Sequence, residues 1–372
     1  MRIKVSVVVT VKNDEAGMVG LMEALGGQTA RPDEVIIVRS GQNKSYKDYK
    51  NYKGQKINKF LAWKFLWDRK EMFGWAEVIH VHDVFWWYLP FGLLNRVRIF
   101  FGSFNLFNRV VERDTNDPNE HPNDTNRKSI FTTFHGWEGV YPPSLSAVAQ
   151  KRLAKFLSDG TIGVGSFFKK WYGVETDRTV WGVVDQKIDG PYKGPTLLWQ
   201  GRTLRTLVFL GRLEEVNGMK IVLRALKVGP WRTLRSDLFR CIFVGEGSYR
   251  REAEKFGRVT GMVKNPLKYL ADADVVIASS YMSMLEAAAM GKPIIAIANN
   301  ELKMDYLTTH PLRKWIKVVK NAEELIEEIR GLYKGPTLLQ QQDRTLKNAS
   351  RWAIRQTPER LADTYESLWG IK

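Results

Sequence analysis

The sequence predicts an α/β protein of two Rossmann-like domains, each a parallel sheet with helices on both faces, and three observations carry that expectation. Residues 275–278 and 294–298 are continuous apolar runs separated by one helix-length segment, the pattern of parallel strands covered on both sides. Residues 3–11, 33–39, 76–83 and 129–134 are further strand-like runs. At 372 residues the chain can form two domains, each with its own core.

The stretch 275–299 organises the rest. It reads as a buried strand, a polar loop at 279–283, a helix, a Gly291-Lys292-Pro293 stop and a second buried strand. Gly291 is the expected C′ residue of the helix, and Pro293 bars its continuation. In such units ligands sit beyond the carboxyl ends of the strands, where loops and helix N-termini converge. Glu286, placed at about the first turn of the helix, can accept hydrogen bonds there from the vicinal hydroxyls of a ribose.

Composition narrows the class. Hydrophobic content of 44% and charged content of 26% are globular values. The single cysteine, Cys241, excludes an internal disulfide and points to a reducing compartment. The chain runs from Met1 directly into a strand, without the apolar segment of a secretory signal, so a cytoplasmic protein is expected. The aromatic run at 84–107 is interrupted by Arg96 and Arg98 and does not read as a membrane span. A net charge of +17 calls for an anionic partner or a solvated basic surface. Trp63, Trp67, Trp86 and Trp87 interleave with Lys59, Lys64, Arg69 and Lys70, a mix suited to peripheral contact with an anionic leaflet. No nucleic-acid-binding module is present in the sequence pattern, and no Cys/His set has metal spacing.

Along the chain, Asn13-Asp14-Glu15 caps a helix at 18–25, and a second helix is expected at 57–73. Residues 112–128, rich in Asp, Asn and Pro, read as a loop. A helix at 145–157 precedes a strand beginning at Gly160, and Gly190 to Pro195 form a linker. The second half opens with a strand at 206–210 ending in Gly211-Arg212-Leu213; Asn217-Gly218-Met219-Lys220 starts a helix. The strand at 241–244 ends in Gly245-Glu246-Gly247, whose glycines would let the backbone approach a ligand. Residues 259–263 read as a strand, 322–333 and 341–370 as helical. The segment Tyr192-Lys-Gly-Pro-Thr-Leu-Leu198 recurs at 333–339, too few copies for a solenoid.

Leu285-Glu286-Ala287-Ala288-Ala289 with Gly291-Lys292-Pro293, Gly211-Arg212-Leu213 and Gly245-Glu246-Gly247 together resemble the nucleotide-sugar half of the retaining glycosyltransferases of family 4. The resemblance spans roughly residues 75–370 and is densest at 206–298. It implies the GT-B fold, with an acceptor domain at 1–188, a donor domain at 189–350 and a helix at 351–372 crossing back to the first domain. It also implies transfer of a sugar, with retention and without a metal or other cofactor, from a nucleotide-diphospho-sugar to a glycan or lipid-linked glycan. By the same resemblance Arg212 grips the diphosphate and Glu286 the ribose. Lys220 stands in for a family Lys whose position holds Asn217, and His135 lies near the donor sugar. Gly211, Asn217, Gly245, Gly247, Met262, Ser283, Met284 and Leu285 border the donor, and His82 and Asp83 lie in the acceptor cleft. The first Glu of the family's Glu-x7-Glu pair is absent: Ala278 stands there, and the loop is shortened.

Residues 5–39 are instead similar to the opening of the inverting GT-A glycosyltransferases of family 2, although Arg39-Ser40 occupies the place of that family's Asp. Two alternatives therefore stand beside the main reading: a catalytically degenerate nucleotide-sugar-binding protein and an inverting, metal-dependent GT-A enzyme. Asp272-Ala273-Asp274 has the spacing of an Asp-x-Asp metal pair, but it leads directly into a buried strand.

Overall fold

The computed structural model describes residues 5–11, 34–39, 55–56, 78–82, 129–184, 206–229, 240–263, 265–331 and 336–370. The expected helices at 18–25 and 57–73, the basic-aromatic segment through 113, the loop at 112–128, Asp83 and the linker at 190–195 lie outside the described residues.

Two parallel sheets form the frame. The first contains β1 (Val5–Val11), β2 (Glu34–Arg39), β3 (Gln55–Lys56), β4 (Val78–His82), β5 (Ser129–Phe134), β6 (Gly160–Val164) and β7 (Arg178–Val180), in the order β3-β2-β1-β4-β5-β6-β7. The second contains β8 (Thr206–Leu210), β9 (Arg240–Val244), β10 (Arg258–Val259), β11 (Val275–Ile277), β12 (Ile294–Ile297) and β13 (Lys317–Val319), in the order β10-β9-β8-β11-β12-β13. Every strand pairing is parallel, with β11 lying between β8 and β12. Each sheet reverses its winding once, between β1 and β4 and between β8 and β11, and such a switch point opens a crevice beyond the strand ends.

The central strands are buried throughout, as their Val- and Ile-rich sequences require: Leu207, Val208, Phe209, Val275 and Val276 expose none of their surface. Helices follow the strands. Among the described residues of the first domain these are α1 (Leu145–Leu157), capped by the Ser144 hydroxyl, and α2 (Phe168–Tyr172), stopped by Gly173 at φ +64°. In the second they are α3 (Met219–Val228), α4 (Arg250–Ala253), α5 (Leu267–Ala271), α6 (Tyr281–Ala289), α7 (Glu301–Thr308) and α8 (Ala322–Gly331). Asp274, from the Asp-x-Asp spacing, accepts a hydrogen bond from the backbone N–H of Thr206 at 2.8 Å and anchors the start of β8. The expected strand at 259–263 is shorter than its sequence suggested. Pairing ends at Val259, and Gly261 makes only an isolated bridge to Gly245.

The helical region expected at 341–370 is two helices, α9 (Pro336–Ala353) and α10 (Pro358–Trp369), interrupted before Thr357 caps the second. The first docks on α6, where the Ser350 hydroxyl donates to the Ala289 carbonyl. The second packs on the first sheet: Trp369 Nε1 donates to His80 Nδ1 at 2.9 Å, and the Tyr365 hydroxyl lies 3.3 Å from Thr133 Oγ1. Among the described residues no helix is long and apolar enough to cross a membrane.

Candidate functional site

The carboxyl end of the second sheet is assembled from three loops. The loop after β8 carries Gly211 and Arg212, the loop after β11 carries Ser279 and Ser280, and the loop after β12 carries Asn299 and Asn300. A Cβ placed on Gly211, at φ +138°, would stand 3.6 Å from both the Asn217 side-chain nitrogen and the Ser283 hydroxyl. Three of the expected donor residues thus converge at the switch point between β8 and β11. Ser283 is buried and shares a 2.8 Å hydrogen bond with Ser280. Ser279 accepts from the backbone N–H of Ile297 at 2.9 Å and ties β11 to β12.

Gly245 and Gly247 are required by a close approach within the protein itself. A Cβ on Gly245 would lie 1.9 Å from the Gly211 carbonyl oxygen, and one on Gly247 would lie 2.4 Å from that of Leu213. The close approach is therefore between two loops of the protein, sealed by hydrogen bonds from Gly211 N to Val244 O and from Leu213 N to Glu246 O. These glycines hold Arg212 in place by letting its loop be clasped.

Asn217, at the end of a short 3₁₀ turn (Glu215–Asn217), is buried and donates its amide to the Arg212 carbonyl at 3.0 Å. It fastens the loop rather than offering a charge. Lys220 sits at the start of α3 with 73% of its side chain exposed, 3.6 Å from the Glu215 carboxylate. Arg212 is exposed.

Helix α6 begins at Tyr281, so the loop expected at 279–283 is reduced to Ser279 and Ser280, and Glu286 lies in the second turn rather than the first. Glu286 is half-buried. Met284 and Leu285 turn wholly into the core, and Leu285 packs against Gly182 of the first domain, so their side chains support the helix instead of facing the crevice. Gly291 is C′ as expected, at φ +64°. Lys292 donates to the carbonyls of Ala271 and Ala273, which explains a lysine in the Gly-Lys-Pro stop by its bond to the end of α5. Met262 is 71% exposed in the loop beyond β10.

Tyr281 meets the first domain at Gly165, which leaves room for its hydroxyl, and at the Trp181 ring, 5.9 Å away. Within the second domain its hydroxyl donates to the Tyr306 carbonyl at 2.7 Å and its ring stacks on that of Tyr306 at 3.9 Å. Asp305 adds a second link, accepting from Lys170 at 2.5 Å and from the Trp171 indole at 2.8 Å.

The first domain contributes a chain of imidazoles. His82, at the end of β4 and fully buried, shares a 2.6 Å hydrogen bond with His135, which follows β5 and is exposed. His80 stacks beneath His82 at 4.9 Å and is held by Thr133 and Trp369. Burial, reinforced by the charge of His135, pushes His80 down to about 3. His82 is depressed well below its ordinary value by burial and by its two neighbours. Beside them Glu138 binds Lys151 and the Tyr172 hydroxyl, both at 2.6 Å. Burial would raise its carboxyl, but the Lys151 ammonium and these hydrogen bonds outweigh that and lower it.

One cation escaped the sequence reading. Lys303, the third residue of α7, is 2% exposed, and its ammonium stands 4.6 Å from the centre of the Tyr306 ring. Burial, and then repulsion from Arg212, pull it down to about 7. Among the described residues no group of three or more His, Cys, Asp or Glu is arranged to hold a metal ion.

Residues 204–335 match the sequence model of the Glycosyl transferases group 1 family. No curated protein sequence matches the chain. Among solved structures, a glycosyltransferase from Rickettsia africae is similar, with a TM-score of 0.60, 14% identity and 99% of each chain covered. Anabaena Alr3699/HepE, solved in complex with UDP-glucose, has a TM-score of 0.60 at 14% identity, covering 99% of this chain and 100% of that one. A putative UDP-N-acetylglucosamine 2-epimerase from Listeria monocytogenes has a TM-score of 0.59 at 13% identity, covering 100% of this chain and 98% of that one. The fold is GT-B, with two Rossmann-like domains.

Proposed function

We propose that the chain is a glycosyltransferase that moves a sugar from a nucleotide-diphospho-sugar to a hydroxyl acceptor. The observation that carries the reading is a coincidence of place. The Glycosyl transferases group 1 match covers the second sheet, and its switch point gathers Gly211, Asn217 and Ser283 next to Arg212. In this reading the Arg212 guanidinium meets the phosphate oxygens as a planar fork, and Glu286 accepts from the ribose hydroxyls. The bond between the anomeric carbon and the β-phosphate oxygen breaks, its electron pair leaving on the nucleoside diphosphate. The acceptor oxygen forms the new bond, and its proton passes to the departing phosphate or to water. Positive charge fixed where negative charge develops lowers the barrier without needing a metal. Retention of configuration follows from the family 4 resemblance. His135, exposed at the end of β5 and backed by His82, faces the sugar, and the acceptor is a glycan or lipid-linked glycan held by the first domain. The net charge of +17 supports contact with an anionic membrane surface.

Two replaced positions favour a second reading, a binding protein without turnover: Ala278 in place of a family Glu and Asn217 in place of a family Lys. Nucleotide release from UDP-, GDP- and ADP-linked sugars, with and without Mn²⁺, separates the two. Metal-independent release from one donor, lost in Arg212→Ala, supports the enzyme. Binding without release across a panel of glycan and lipid-linked acceptors selects the second reading.

A further inference from the structure

Two lysines compete for the role left vacant by Asn217. Lys220 is the nearer in sequence, but it is largely in water and leans on Glu215. Lys303 has the opposite environment. It is almost wholly buried, with the Tyr306 ring beneath its ammonium, and forms no ion pair among the described residues. The charge it feels most is another cation, Arg212. The loop of Arg212 follows β8 and α7 follows β12, so the two cations flank the β11–α6 connection with Ser280 and Ser283.

A buried ammonium that feels the charge of a guanidinium is costly to the folded chain. A ring face compensates only part of that cost. The arrangement becomes favourable once a polyanion offsets both positive charges, and a diphosphate has the charge and the oxygens to do so. Lys303 was invisible in the sequence because a lysine in the first turn of a short helix ordinarily faces solvent.

We propose that Lys303 and Arg212 together form the cationic clamp for the donor's diphosphate, with Lys303 supplying the charge that Asn217 does not. This rests on the nucleotide-sugar reading of the site. Lys303 becomes fully protonated when the diphosphate binds, so binding takes up protons from the medium at mildly alkaline pH, where the free side chain is partly neutral.

The test is calorimetric titration of the full chain at pH 8 with UDP, GDP and ADP and with the matching nucleosides. Each titration is run in two buffers of different ionisation heat, for the native protein, Lys303→Met and Lys303→Arg. The expected result is that one diphosphate binds with proton uptake, and that Lys303→Met weakens it tenfold or more and abolishes the uptake. Lys303→Arg should retain most of the affinity, and binding of the nucleoside should be unchanged. Lys303→Met should melt no lower than the native protein without ligand, since it removes a buried ammonium that, among the described residues, only the Tyr306 ring offsets. Diphosphate binding that is equally tight in Lys303→Met overturns the clamp and leaves the nucleotide-sugar reading standing. Absence of binding by any diphosphate to the native protein overturns both.

Discussion

The side-chain amide of Asn217 donates to the backbone carbonyl of Arg212 across 3.0 Å. A residue expected at the donor site fixes the loop that carries the guanidinium. Asn217→Ala should cost about 1 kcal/mol, because it removes one of the two hydrogen bonds that the Arg212 carbonyl accepts, the other coming from the backbone N–H of Glu214 at 2.8 Å. Chemical denaturation measures this, and nucleotide affinity should fall with it as Arg212 loses its fixed position. Unchanged stability would show that the bond contributes nothing.

Gly245→Ala tests the clasp between the loops after β8 and β9. The added methyl would overlap the Gly211 carbonyl oxygen at 1.9 Å, and both atoms belong to or hang from backbone. Neither can swing aside as a side chain would. A loss of about 3 kcal/mol or more is expected, read as a lower melting temperature or failure to accumulate folded protein. A variant as stable as the native chain would mean that the loops separate easily.

The buried imidazoles give a pH dependence with a definite sign. Burial brings His310 down to about 3, with a hydrogen bond at Trp181 opposing it, and His80 is similarly low. Their folded values lie below the unfolded value of 6.5. The unfolded chain therefore takes up protons first as pH falls, and the stability present above about 6.5 is lost progressively toward about 3. His310→Phe removes one of these groups together with the bond that Nδ1 accepts from Leu312 N. The variant should be less stable than the native chain at pH 7, and the gap should narrow at pH 5. A gap that stays constant would refute the assignment.

The frame of the second domain was legible because its signals are local. Apolar runs of strand length, a glycine at 291 and a proline at 293 mark β11, α6 and β12 within a few residues of their observed bounds. The site was legible only in part. Gly245 and Gly247 announced a close approach, but sequence cannot say that the neighbour is Gly211 and Leu213 rather than a ligand. Met284 and Leu285 flank the functional stretch along the chain, yet the 100° turn per helical residue sends them into the core. The hydrogen bond between His82 and His135 joins residues 53 apart and depends on the register of β4 against β5. Lys303 was missed for the same reason, its burial being set by elements distant in sequence.

The most direct measurement is thermal unfolding of the native chain and Glu286→Ala with UDP, GDP and ADP, each with and without Mn²⁺. A ligand at a hundredfold its dissociation constant stabilises by about 2.7 kcal/mol, which is visible as a shift in melting temperature. The account predicts a metal-independent shift with one nucleotide that disappears in Glu286→Ala. No shift with any nucleotide, or an equal shift in the variant, would contradict the donor site proposed at the switch point of the second sheet.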